Sequence, residues 1–101
     1  MEEKFLFQVD KNFSLPGLGV LLLPASGVPE LQELALHTAL RVSLRYPTGP
    51  AETALATVEE IARTEMPLIR GLLLTQAGAA SGPAGAQVWW TGAEVGWEEL
   101  L

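Results

Sequence analysis

The chain has 101 residues, 49% of them hydrophobic and 18% charged, with a net charge of −6 at pH 7. That apolar content, with a charged fraction below the roughly 25% usual for soluble domains, excludes a disordered chain and fits one domain around one core. The absence of cysteine excludes a disulfide framework and a thiolate metal site, and six basic against twelve acidic residues disfavour general binding to a nucleic-acid backbone.

Met1-Glu2-Glu3-Lys4 is acidic and leads directly into a strand pattern, whereas a secretory leader needs a basic start and a longer apolar segment. No run of about 18 apolar residues is present, so no membrane partner and a cytoplasmic location are expected. Phe5 to Leu23 reads as two strands joined through a turn. Phe5, Phe7 and Val9 alternate with Leu6, Gln8 and Asp10, the period of a half-buried strand. Pro16-Gly17 supplies turn chemistry, and Val20-Leu21-Leu22-Leu23 fits a buried strand.

Pro24 to Pro29 is a loop by composition. Leu31, Leu34 and Ala35 then have helical spacing behind Pro29, with Glu30 and Glu33 suited to a helix N-terminus, so a short helical turn is expected near 30–37. Thr38 to Tyr46 is the clearest strand: Leu40, Val42, Leu44 and Tyr46 share one face, Arg41, Ser43 and Arg45 the other. Pro47 to Pro50 turns the chain. Residues 52–65 fit two periods. Leu55, Val58, Ile61 and Ala62 are spaced for a helix rich in Ala and Glu, while Thr53, Leu55, Thr57 and Glu59 alternate as in a strand.

Met66 to Thr75 reads as a strand in which Gly71 marks a bulge or bend. Residues 76–85 form a flexible connection, and Ala86 to Thr91 is the last strand. Short strands punctuated by Gly and Pro argue for an all-β antiparallel barrel or sandwich.

The opening stretch carries a resemblance. Val9, Asp10, Phe13, Ser14, Leu15, Gly17 and Gly19 stand where the second domain of elongation factor Tu and related translational GTPases has a valine, an acidic residue, a phenylalanine, a small residue, an aliphatic and Gly-Arg-Gly. Arg41 to Leu44, Ala56 to Ile61, Leu68 to Leu74 and Gly85 to Trp89 are similar to later strands of that domain, in the same order. The resemblance spans about residues 4–92. It implies a six-stranded antiparallel closed β-barrel over 1–101, with a tail at 93–101 packed on the barrel or on a partner, and it favours a strand at 52–65. In the family, this face contributes to a pocket for the aminoacyl end of transfer RNA, and Asp10 and Phe13 match positions near it. Leu18 replaces the arginine of Gly-Arg-Gly and Lys11 the second acid, and no phosphate-binding Gly-x-x-x-x-Gly-Lys-Ser/Thr is present.

No catalytic set emerges. His37 is the only histidine and reads as a surface or structural residue. Glu59-Glu60 and Glu98-Glu99 are neighbours that a strand would point to opposite faces. No serine sits in a Gly-x-Ser-x-Gly setting. No cofactor and no metal are expected. Arg41 and Arg45 can grip an anion or simply pair with glutamates on a neighbouring strand. Trp90 is expected inside and Trp89 outside, where the chain end with Val95, Trp97, Leu100 and Leu101 or another molecule covers it. The expectation is a non-enzymatic binding or assembly module with a protein partner, including a second copy of itself. Asp10, Phe13, Leu18, Arg41, Arg45, Trp89 and Trp97 are the candidate contacts. The alternative is a translation-linked module contacting aminoacyl-tRNA or the ribosome.

Overall fold

The computed structural model describes residues 3–47, 51–63, 66–74 and 85–94. Seven strands, β1 (Lys4–Gln8), β2 (Lys11–Leu15), β3 (Gly19–Leu23), β4 (Ala39–Arg45), β5 (Glu52–Arg63), β6 (Met66–Leu74) and β7 (Gln87–Glu94), form one antiparallel sheet. A single helical turn, α1 (Pro29–Gln32), lies between β3 and β4. The strand order is β1-β7-β4-β5-β6-β3-β2, and the sheet curls through 200° into an open half-barrel.

The expected closed six-stranded barrel is thus corrected to seven strands and an open wall. The extra strand comes from the first stretch, which divides at Val9-Asp10. The Val9 N–H donates to the Ala86 carbonyl (2.8 Å) and the Gly85 N–H to the Val9 carbonyl (2.8 Å), finishing the β1–β7 ladder. One residue on, the Asp10 N–H donates to the Leu23 carbonyl (2.9 Å) and starts the β2–β3 ladder. Consecutive pieces of one extended segment therefore sit at opposite edges of the sheet. They run in the same direction, and a two-residue link cannot lay two parallel strands side by side. The wall stays open between them and is drawn together only at the Val9-Asp10 end.

The β2–β3 turn follows its sequence. Pro16 and Gly17 occupy its centre, Gly17 has φ +79, and the Leu18 N–H donates to the Leu15 carbonyl at 2.9 Å, as a type II turn requires.

The concave side holds the main core, with Leu22, Leu31, Leu40, Leu44, Leu72 and Val88 fully buried. On β4 the expected alternation holds: Leu40, Val42 and Leu44 are buried, while Arg41 is exposed. Residues 52–63 are strand. Ala54, Ala56 and Val58 face the core at 3%, 0% and 0% exposure, and β5 is paired on both sides, by β4 and β6. Two ladders of backbone hydrogen bonds outweigh a helix preference of a few tenths of a kcal/mol per residue.

On β1 the alternation fails. Phe5 pairs with Trp89 and Phe7 with Val88, so Leu6 is an extra residue in the ladder. The bulge leaves Phe5 44% exposed and buries Leu6 as well as Phe7 and Val9. Gly71, expected at a bulge or bend, is not at a bulge: it lies in regular register opposite Glu59, and the β5–β6 irregularity falls between Ile61 and Arg63. A Cβ at Gly71 would collide with the Leu22 carbonyl oxygen, so the glycine permits close approach of β3.

The short helical turn expected near 30–37 is present as α1. Its Leu31 is fully buried, and the Arg70 guanidinium on β6 donates from Nη1 to the carbonyls of Leu31 (3.0 Å) and Leu34, and from Nε to Glu60 (3.3 Å). Arg70 thus ties β6 to the end of α1 and the residues that follow it, adding a donor to the Leu31 carbonyl, which also accepts from the Leu34 N–H at 3.4 Å.

Candidate functional site

Among the described residues β7 is the only strand neighbour of β1, so alternate backbone N–H and C=O groups turn away from the described sheet. They face a cleft of 750 Å³ lined by Phe5 to Asp10, by the loop Pro24 to Pro29 and by Gly85. That volume lies within the roughly 300–1,000 Å³ of ligand sites.

The loop is held in place from both ends, with Pro24 buried directly after β3. Val28 is 4% exposed in the core, and Pro29 opens α1, so the backbone from Ala25 to Gly27 is carried across the mouth of the half-barrel with its side chains exposed. At one end of the cleft Gln8 Nε2 donates to the Gly85 carbonyl at 3.2 Å. Gly85 has φ +93, a conformation that favours glycine. Just beyond the other end, Lys4 Nζ lies 3.3 Å from Glu30 Oε2. Backbone hydrogen bonding at the helix start, outweighing the opposing effect of burial and helped by Lys4, holds the Glu30 carboxyl below its ordinary range.

A second surface lies on the convex side around Trp89. The Phe5 ring meets the indole edge-on, with centroids 5.5 Å apart and planes at 68°, and the Arg45 guanidinium stands 4.1 Å over the indole. Arg45 is also paired with Glu3, and Trp89 Nε1 donates to Gln87 Oε1 at 3.1 Å. The expected inside–outside division of the two tryptophans holds, since Trp90 is buried at 8% exposure and Trp89 half-buried. Phe5 and Arg45 cover Trp89; the expected cover by the chain end, and Trp97 with it, falls outside the described residues.

A third surface is the convex face at the β2 edge. Phe13, opposite Leu21, is 47% exposed, and Leu18 in the turn is 63% exposed. Leu21, Leu23 and Ile69 form a small separate cluster behind them. Of the candidate contacts, Asp10 belongs to the cleft, Phe13 and Leu18 to the β2 edge, and Arg45 and Trp89 to the aromatic surface. Arg41 is exposed opposite Leu55 on β5, and the carboxylate partner of Arg45 is Glu3 within the chain. The six residues do not converge on one site.

His37 has φ +70, an uncommon conformation outside glycine. Its N–H donates to the Val58 carbonyl at 2.7 Å, and Nδ1 lies 3.1 Å from Glu59 Oε2, which also accepts from the Thr57 hydroxyl at 2.8 Å. The residue closes the α1–β4 connection, in keeping with its structural reading. Glu60, on the opposite face of β5, meets Arg70 instead. Among the described residues no three acidic or histidine side chains are grouped to hold a metal, and no helix is long and apolar enough to cross a membrane.

Sequence reasoning did not find the cleft. Its wall combines a strand edge, the loop after β3 and a glycine just before β7, which the β1–β7 pairing and the Asp10–Leu23 hydrogen bond bring together. No protein-family model, no curated protein and no solved structure matches the chain.

Proposed function

We propose that this protein is a non-catalytic protein-binding module of the cytoplasm, built on a barrel wall related to the second domain of translational GTPases. The relationship rests on the motif positions from Val9 to Gly19 and on the order of the later strands. The binding role rests chiefly on one observation, the cleft that opens beside the edge of β1 that no described strand pairs. Strand edges and adjoining grooves are recurrent places for protein segments to dock.

The test is affinity capture from an extract of the native host, with the intact protein and two variants that alter different edges. Ser26→Trp places an indole in the exposed loop beside the cleft, and Phe13→Asp alters the β2 edge. A protein captured by the wild type, resistant to nuclease and lost with at least one variant, is the expected result. Capture of nothing, or capture abolished by nuclease, removes the reading. The second outcome favours transfer RNA or the ribosome, for which Asp10 and Phe13, both exposed, are the matching positions.

A further inference from the structure

The geometry of the cleft points to a particular occupant, and the inference rests on the protein-binding reading above. We propose that the cleft takes an extended peptide as an eighth strand, antiparallel to β1, with apolar side chains over the cleft and a lysine or arginine at its Asp10 end.

Three observations converge on that chemistry. The first is the edge itself: Phe5 to Gln8 line the cleft as one side of β1, four extended residues spanning about 13 Å, and Asp10 closes its far end, where its N–H donates to the Leu23 carbonyl. The second is the lining. Leu6, Phe7, Val9 and Val28 make a buried apolar floor, and Phe5 stands 44% exposed at the rim. An apolar residue of the peptide covers the exposed Phe5 ring while its backbone meets the outward groups of β1.

The third is charge. Asp10 is the one charged residue among those lining the cleft, it is exposed, and no described basic side chain is placed within 4 Å of it. Lys11 follows Asp10 directly and is exposed at the start of β2, whereas Lys4, on β1, is at the opposite end of the cleft and paired with Glu30. A chain of net charge −6 also attracts a basic segment from a distance. A second copy is the poorer occupant. Its own β1 edge carries the same Pro24–Pro29 loop, and two such loops would compete for one cleft; two acidic chains also repel.

The experiment uses the intact isotope-labelled protein and a capped heptapeptide, Lys-Val-Thr-Val-Thr-Val-Thr, with a second peptide in which glutamate replaces the lysine. Amide shifts are expected on Phe5 to Asp10 and Ala25 to Val28, with the lysine peptide bound about fivefold more tightly or better. Asp10→Lys, an exposed change, should reverse that preference, and Ser26→Trp should weaken both peptides by a similar factor. Either variant's amide spectrum reports whether it is folded. Absence of binding by both peptides, shifts centred on Phe13 and the β2 edge, concentration-dependent self-association in place of peptide binding, or a preference unchanged by Asp10→Lys would each overturn the assignment. Such a failure alongside retained capture of a host protein through the β2 edge removes the cleft assignment and leaves the binding-module reading in place.

Discussion

Tyr46 carries a phenol hydroxyl that is shielded from water and has no hydrogen-bond partner among the described residues. Burial, reinforced by the Glu52 carboxylate, raises its pKa above the ordinary value near 10. The folded state therefore holds this proton more tightly than the unfolded chain does. Its stabilising effect is whole below pH 10 and is lost as pH rises from there through the folded pKa. Tyr46→Phe removes the unsatisfied hydroxyl, and a gain of about 1 kcal/mol is expected in urea unfolding at pH 7. The gap between variant and wild type should widen when the measurement is repeated above pH 10. This residue was legible only in part: the parity of Thr38 to Tyr46 places it inward, but the missing partner is a property of its surroundings. At Phe5, parity alone misled, because one extra residue in the β1 ladder turns a core position into a rim position.

Among the elements, β3 and β6 show how a single atom sets a packing distance. A Cβ on Gly71 would meet the Leu22 carbonyl oxygen closer than real contacts allow and would approach Leu23 Cδ2 at 2.8 Å. The leucine methyl can rotate away, whereas the carbonyl belongs to a paired strand. Gly71→Ala is expected to cost about 3 kcal/mol, read as a lower denaturant midpoint. Gly27→Ala serves as the control, since its nearest neighbour is the Gln32 side-chain nitrogen at 3.9 Å, and a change within about 0.5 kcal/mol is expected. Sequence alone marked Gly71 as special but not why, because bulge and close approach leave the same glycine. Residues 52–65 were undecided for a related reason. Alanine and valine positions fit a helix stripe and an inward strand face equally, and the two neighbouring strands decide between them.

Across the whole molecule, β7 joins the two halves of the wall. It pairs with β1 on one side and β4 on the other, and it sends Val88 and Trp90 into the core. Without it, β1 has no strand neighbour among the described residues, and β4 becomes an edge of the described sheet. Removal of residues 86–101 is expected to abolish the cooperative unfolding transition followed by circular dichroism, and to expose apolar surface that binds a hydrophobic dye. The same topology makes the molecule depend on pairing between its first and last strands. Folding on the millisecond-to-second scale of non-local β proteins follows from that dependence.

The amino-acid sequence by itself determined the β class, the inward face of β4, the Pro16-Gly17 turn, and the opposite orientations of Trp89 and Trp90. Each depends on local periodicity or on one residue's backbone preference, which are properties of a short segment. Tertiary structure alone decided that the first extended stretch splits between two edges, that the wall remains open, and that a cleft forms beside β1. Those outcomes depend on which distant strands pair: β1 is drawn to β7 and β2 to β3, and the two-residue link at Val9-Asp10 cannot bring the parallel edges side by side.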